Sequence, residues 1–90
     1  MPYVTPEARS RLDAGGVPDD AGELNYAVTR LVDAFLVRQA DEAGRLRYAH
    51  LNAAVGVLEC AKLELYRRVA VPYEDEKRTE SGDVYDILDG

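Results

Sequence analysis

From Leu46 to Pro72 the chain reads LRYAHLNAAVGVLECAKLELYRRVAVP, and this stretch constrains everything else. Leu51, Ala54, Val55, Leu58, Ala61, Leu65 and Val69 recur at helical spacing and form one wide apolar face. Ala53, Val57, Cys60 and Leu63 form a different one. A helix that is apolar on two sides has to bury both. The spacing predicts a helix over about 47–71, stopped before Pro72 because the residue preceding a proline resists helical geometry.

One other segment is long enough to cover either face. In GELNYAVTRLVDAFLVRQADEAG, Leu24, Val28, Leu31, Val32, Phe35 and Leu36 form a single stripe. It predicts a helix over about 22–40, with Glu23 placed to favour the helix dipole and Gly44 as the C-terminal stop. The fold class that follows is all-α. Two long helices pair as an antiparallel hairpin over 22–71, after a short N-terminal helix in an arm over 1–21. Thr5 is the expected cap of that short helix, with Pro6 at its first position. Residues 72–90 are expected to be an irregular acidic tail, completing a single domain over 1–90. One helical partner leaves the second face of 47–71 uncovered. Ala53, Val57, Cys60 and Leu63 are therefore the expected interface of a homo-oligomer, by default a dimer. Gly56 costs about 1 kcal/mol relative to alanine inside a helix, which close backbone packing would explain.

A 90-residue chain with one cysteine has no internal disulfide, and oligomerisation is the remaining source of added stability. Cys60 and His50 cannot build a four-ligand zinc site. The net charge of −6 argues against a broad duplex nucleic-acid surface, while a local anion pocket needs only a few cations. No apolar run reaches the roughly 20 residues of a membrane span, and no leader sequence is evident. The expected setting is cytoplasmic, where a lone thiol stays reduced.

Candidate site residues concentrate on the 47–71 helix. Asn52, Glu59 and Tyr66 are spaced by seven and stack on one line, with Lys62 beside them. That makes a polar strip flanked by apolar surface, suited to a polar ligand or a partner, or simply a solvated stripe. Arg67 and Arg68 follow Glu64 at helical spacing. Guanidinium groups bind phosphates and carboxylates bidentately, and the alternative role is an ion-pair network reaching Glu23 or the acidic YEDE. Tyr26, near the start of the 22–40 helix, is the candidate contribution from that segment, close to backbone N–H groups that favour anions. Glu59, Glu64, Glu80 and Asp83 map poorly onto a magnesium-dependent nucleotide pyrophosphohydrolase. Such sites need a tighter carboxylate pattern than a spacing of five gives. Cys60 and His50 lie about 15 Å apart along one helix, too far for a nucleophile and its base. Cys60 reads as a small core residue and His50 as a surface one. The residues supply no catalytic set, metal site or cofactor motif.

GELNYAVTRL at 22–31, NAAVGVLECAKLELYRRVAVPYEDEK at 52–77 and ESGDVY at 80–85, with MPYVTPEAR at the start, resemble a group of small uncharacterised helical proteins of bacteriophages and bacteria. Ser81 stands where members often have asparagine, and DILDG extends past their usual end. The resemblance carries no established activity. It implies a helical fold, a phage or prophage setting and a tail that is part of the fold through Tyr85. The leading functional expectation is a non-enzymatic oligomeric protein that holds a small anionic, nucleotide-like ligand between subunits. Tyr26, Asn52, Glu59, Lys62, Tyr66, Arg67 and Arg68 would line that site. An interaction or structural factor for a host or phage protein follows closely, and the metal-dependent hydrolase is third.

Overall fold

The structure, a computed structural model, describes residues 1–89. It is all-helical among those residues: α1 (Pro6–Asp13), α2 (Ala21–Ala43), α3 (Tyr48–Leu65), a π turn (Tyr66–Ala70), α4 (Val71–Ser81) and a 3-10 turn (Asp86–Asp89). Gly90, the end of the DILDG extension, lies outside the described residues. The chain divides into two compact units, Met1–Ala54 and Val55 onward.

The first unit is built from well-capped helices. Thr5 has extended geometry and its hydroxyl accepts from the Ala8 N–H, with Pro6 opening α1. The helix closes in a Schellman arrangement. Gly16 N–H donates to the Arg11 carbonyl and Gly15 N–H to that of Leu12, each at 3.0 Å, with Gly15 at a φ of +98°. Gly16 is needed for a different reason, since a Cβ there would lie 2.9 Å from the Arg11 carbonyl oxygen and from its Cγ. Asp20 caps α2 by accepting from the Glu23 N–H at 2.8 Å, and Gly44, at a φ of +85°, ends it. The helix runs past the expected position 40 to the glycine stop itself.

The pairing of α2 with α3 as a hairpin is not what the first unit displays. Its packed helix pair is α1 on α2. Leu12, Tyr26 and Ala54 are the buried apolar residues. The stripes read from the sequence are only partly covered in the single chain, Ala54 being buried and Val32 and Leu36 half-buried. Leu24 and Leu31 are 55% and 74% exposed on α2, and Leu51, Val55, Leu58, Leu65 and Val69 are all exposed on α3 and the π turn.

In the second unit the helix does not stop before Pro72, and residues 72–81 of the expected irregular tail are helical. The reason is the turn that precedes them. In an α-helix the proline ring would press on the carbonyl four residues back, that of Arg68, and would remove a ladder hydrogen bond. Here Val71 N–H donates to Tyr66, five residues back, so the turn is widened and the proline enters as the first turn of a new helix. Local pairs then support α4. Lys77 reaches Glu80 at 3.4 Å, Arg78 reaches Asp75 at 3.7 Å, and the Thr79 hydroxyl donates to the Asp75 carbonyl. Gly82, at a φ of +87°, ends it, its N–H on the Arg78 carbonyl.

Gly16→Ala is expected to destabilise the α1–α2 unit by about 1–3 kcal/mol, the usual cost of forcing a methyl group against fixed atoms. Chemical denaturation of the two proteins side by side measures it. An unchanged midpoint would mean that the Arg11 turn yields freely.

Candidate functional site

Two places on the chain concentrate polar chemistry. The first is the corner where α1 meets α2. Arg11 donates from one guanidinium nitrogen to the Val17 carbonyl at 2.8 Å and from the other to the Glu23 carboxylate, with Asp19 at 3.5 Å. Glu23 also accepts from the Asp19 N–H at 3.0 Å. One carboxylate thus ties the loop backbone and α1 to the first turn of α2, a reciprocal variant of the capping box. The backbone N–H of Asp19, and after it the Arg11 guanidinium, hold the Glu23 carboxyl below its usual range, while the pairing with Glu23 raises the Arg11 guanidinium. One turn on, the buried Tyr26 donates its hydroxyl to Asp13 at 2.9 Å. Arg30 stands 3.7 Å from the same carboxylate, and Arg9 lies over the tyrosine ring. Burial, and then the Asp13 bond, push the Tyr26 phenol up. Asp13, Tyr26, Arg30 and Leu31 help line an open groove of about 470 Å³.

The second place is the surface of α3 and the π turn. Asn52, Glu59 and Lys62 are exposed on α3, and Tyr66, Arg67 and Arg68 on the turn, so the strip exists as a line of accessible side chains. Lys62 is on Glu59 at 3.0 Å. Arg67 and Arg68 both close on Glu64, at 3.2 and 3.3 Å. Glu64 is the anion both arginines use, while Glu23 is paired with Arg11. These exposed pairs are worth about 0.3–0.5 kcal/mol each. They leave the guanidinium groups accessible.

Several expectations change. At the start of α2 the Glu23 N–H is taken by the Asp20 cap, and Tyr26 turns to Asp13. Cys60 is exposed and not a core residue. Gly56 has open space where its Cβ would go, so nothing in its own chain requires a glycine. His50 is half-buried and accepts the Arg47 N–H on Nδ1 at 3.1 Å, serving the start of α3. Among the described residues no three of His, Cys, Asp and Glu come together as a metal site. The carboxylates weighed for magnesium are distributed instead, Glu59 to Lys62, Glu64 to the arginines and Glu80 to Lys77. Among the described residues no helix is long and apolar enough to cross a membrane. The sequence reading passed over Arg11, Asp13 and Arg30. The available signal was the GG that follows α1 by one residue, which turns the chain back toward α2.

A family model described as a domain of unknown function, DUF6899, matches residues 1–84. The chain matches no curated protein and no solved structure.

The depressed Glu23 carboxyl fixes a sign. Its contribution to folding is present above the ordinary glutamate range and is lost as pH falls through the lower folded value. Glu23→Gln is expected to lower the thermal midpoint near neutrality and to flatten its fall on acidification. Thermal scans across an acidic pH series read both effects, and parallel curves for the two proteins would refute the role. Tyr26→Phe is expected to lower the midpoint at neutral pH without altering the acid limb.

Proposed function

The chain belongs to the DUF6899 family, and we propose that it is a non-enzymatic binding protein that works as a homo-oligomer through its exposed apolar helices. The observation that carries this reading is the uncovered apolar surface of α3. Leu51, Val55, Leu58 and Leu65 lie on one face and Val57 and Leu63 on the other, all exposed. Burying a leucine-sized side chain is worth about 1.5–3 kcal/mol, so a partner that covers several of them gains far more than any of the surface ion pairs supplies. A continuous exposed apolar face of this kind marks an interaction surface. The wider face carries the association. In a phage or prophage setting, the assembled protein would engage a host or phage protein in the cytoplasm.

A second reading has its own support. Tyr66, Arg67 and Arg68 stand together on a π turn, with Lys62 one turn before. Such turns recur at functional sites, and adjacent guanidinium groups suit a phosphate. A small anionic, nucleotide-like ligand held between copies is the corresponding site. Native mass spectrometry of protein taken directly from cells tests it. A retained nucleotide-sized mass that disappears in the Arg67→Ala/Arg68→Ala double variant supports the ligand site, and empty protein with no thermal shift on added cyclic dinucleotides removes it.

For the main reading, Leu58→Asp is expected to weaken self-association at least tenfold, measured by light scattering across a dilution series. Val57→Asp, on the narrower face, is expected to weaken it less. Gly56→Ala should stabilise the helix by up to about 1 kcal/mol and leave the assembly size unchanged. A protein that is monomeric at all concentrations would overturn the reading. A larger effect of Val57→Asp would move the interface to the face of Ala53, Val57, Cys60 and Leu63.

A further inference from the structure

We propose that the wide face of α3 is closed by a second copy of this chain, with the two α3 helices parallel and in register. This rests on the association reading above and names the partner and its geometry.

The spacing of the exposed residues carries the inference. Tyr48, Leu51, Val55, Leu58, Lys62 and Leu65 follow one another at alternating steps of three and four. That is the seam of a heptad, with Tyr48, Val55 and Lys62 in one position and Leu51, Leu58 and Leu65 in the other. A β-branched residue in the first position with leucine throughout the second favours two parallel strands. Every one of these six side chains is exposed in the single chain, with Leu51 and Leu58 keeping 40% and 41% of their surface open beside the buried Ala54.

Lys62 selects the register. A single polar residue at the first seam position specifies alignment at a cost in stability. In register, the two Lys62 side chains share one layer, and each ammonium leans out to the Glu59 of its own helix, 3.0 Å away, at the edge of the seam. Shifted by one heptad, Lys62 would meet Val55 of the second copy and lose that layer. Antiparallel, it would oppose a leucine position. Both alternatives desolvate an ammonium against apolar groups.

Charge is consistent with a second copy. The acidic residues behind the net charge of −6 lie mostly outside this helix. α3 contributes only Glu59 and Glu64, and each is paired with a cation. Two copies therefore meet along a stretch where their charge does not accumulate.

The test uses the full chain with Cys60→Ser, so that the native thiol on the outer face cannot react. Val55→Cys in that background places facing thiols across a parallel, in-register seam. Mild air oxidation is expected to convert most of the protein to a disulfide-linked dimer on a non-reducing gel, and Val57→Cys, pointing away from the seam, is expected to give little. Lys62→Leu should tighten association at least tenfold and yield mixed species in native mass spectrometry, because the register device is gone. An oligomer by light scattering in which Val55→Cys stays unlinked overturns this arrangement and leaves the association reading intact. A protein that is monomeric at every concentration overturns both. Efficient linking through Val57→Cys, or through Cys60 in the unsubstituted protein, places the contact on the opposite face and overturns the seam.

Discussion

Apolar side chains on a helix have to leave water, and this chain supplies too little of its own surface for them to leave into. Short chains bury a smaller share of their surface than long ones, and here the buried apolar set is Leu12, Tyr26 and Ala54. What keeps α3 and α4 helical within one chain is local: ion pairs at three- and four-residue spacing, glycine at the ends, and a proline placed where its missing N–H does little harm. Those terms are individually small. The large term, removal of the α2 and α3 stripes from water, is still to be gained. On the reading proposed above, function and stability lie in the same place, on whatever covers those stripes.

The exception is the corner between α1 and α2, which is finished within the chain. Its design is electrostatic and steric together. The glycine pair turns the backbone sharply after α1, Arg11 reaches across the turn to a carbonyl and a carboxylate, and Glu23 returns a bond to the loop. Leu12 and Tyr26 then bury against each other's elements, with the phenol satisfied by Asp13. Without that bond the buried hydroxyl would cost about 1–3 kcal/mol, offsetting much of what burial of the ring gains. The corner is the part of the molecule that behaves like an ordinary small domain.

Much of this was legible from the residues. Thr5 and Pro6 announced α1, Gly44 marked the end of α2, and the apolar spacing gave both long helices. These are local rules and depend on nothing distant. The misjudged features depend on what lies opposite or on a backbone choice with two solutions. Pro72 forbids a regular α-turn but not a widened one, and periodicity cannot tell which the chain takes. The stripes on α2 and α3 look like the two halves of a hairpin, yet the same stripes serve equally for contacts between copies. Glu64, Arg67 and Arg68 pair at the helical spacing read from the sequence, and Glu23 pairs with Arg11, a contact that spacing along one helix does not reveal. The candidate strip of Asn52, Glu59, Lys62 and Tyr66 is real as a line of residues. Whether a line is also a site depends on surfaces the sequence of one chain does not describe.

The π turn has one more consequence. It inserts a residue into the helical count, so positions beyond it are rotated by about 100° relative to an uninterrupted α-helix. Counted straight through, the line of Leu58, Leu65 and Val69 would continue into Pro72, Glu76 and Thr79. With the insertion it continues into Tyr73, Lys77 and Glu80, where the lysine lies over the tyrosine ring at 5.5 Å and pairs with the glutamate. The backbone stays helical from Tyr48 to Ser81, but its angular phase is reset midway. An apolar line thereby hands over to an aromatic and charged one without a loop, and the reset sets where a greasy contact must end.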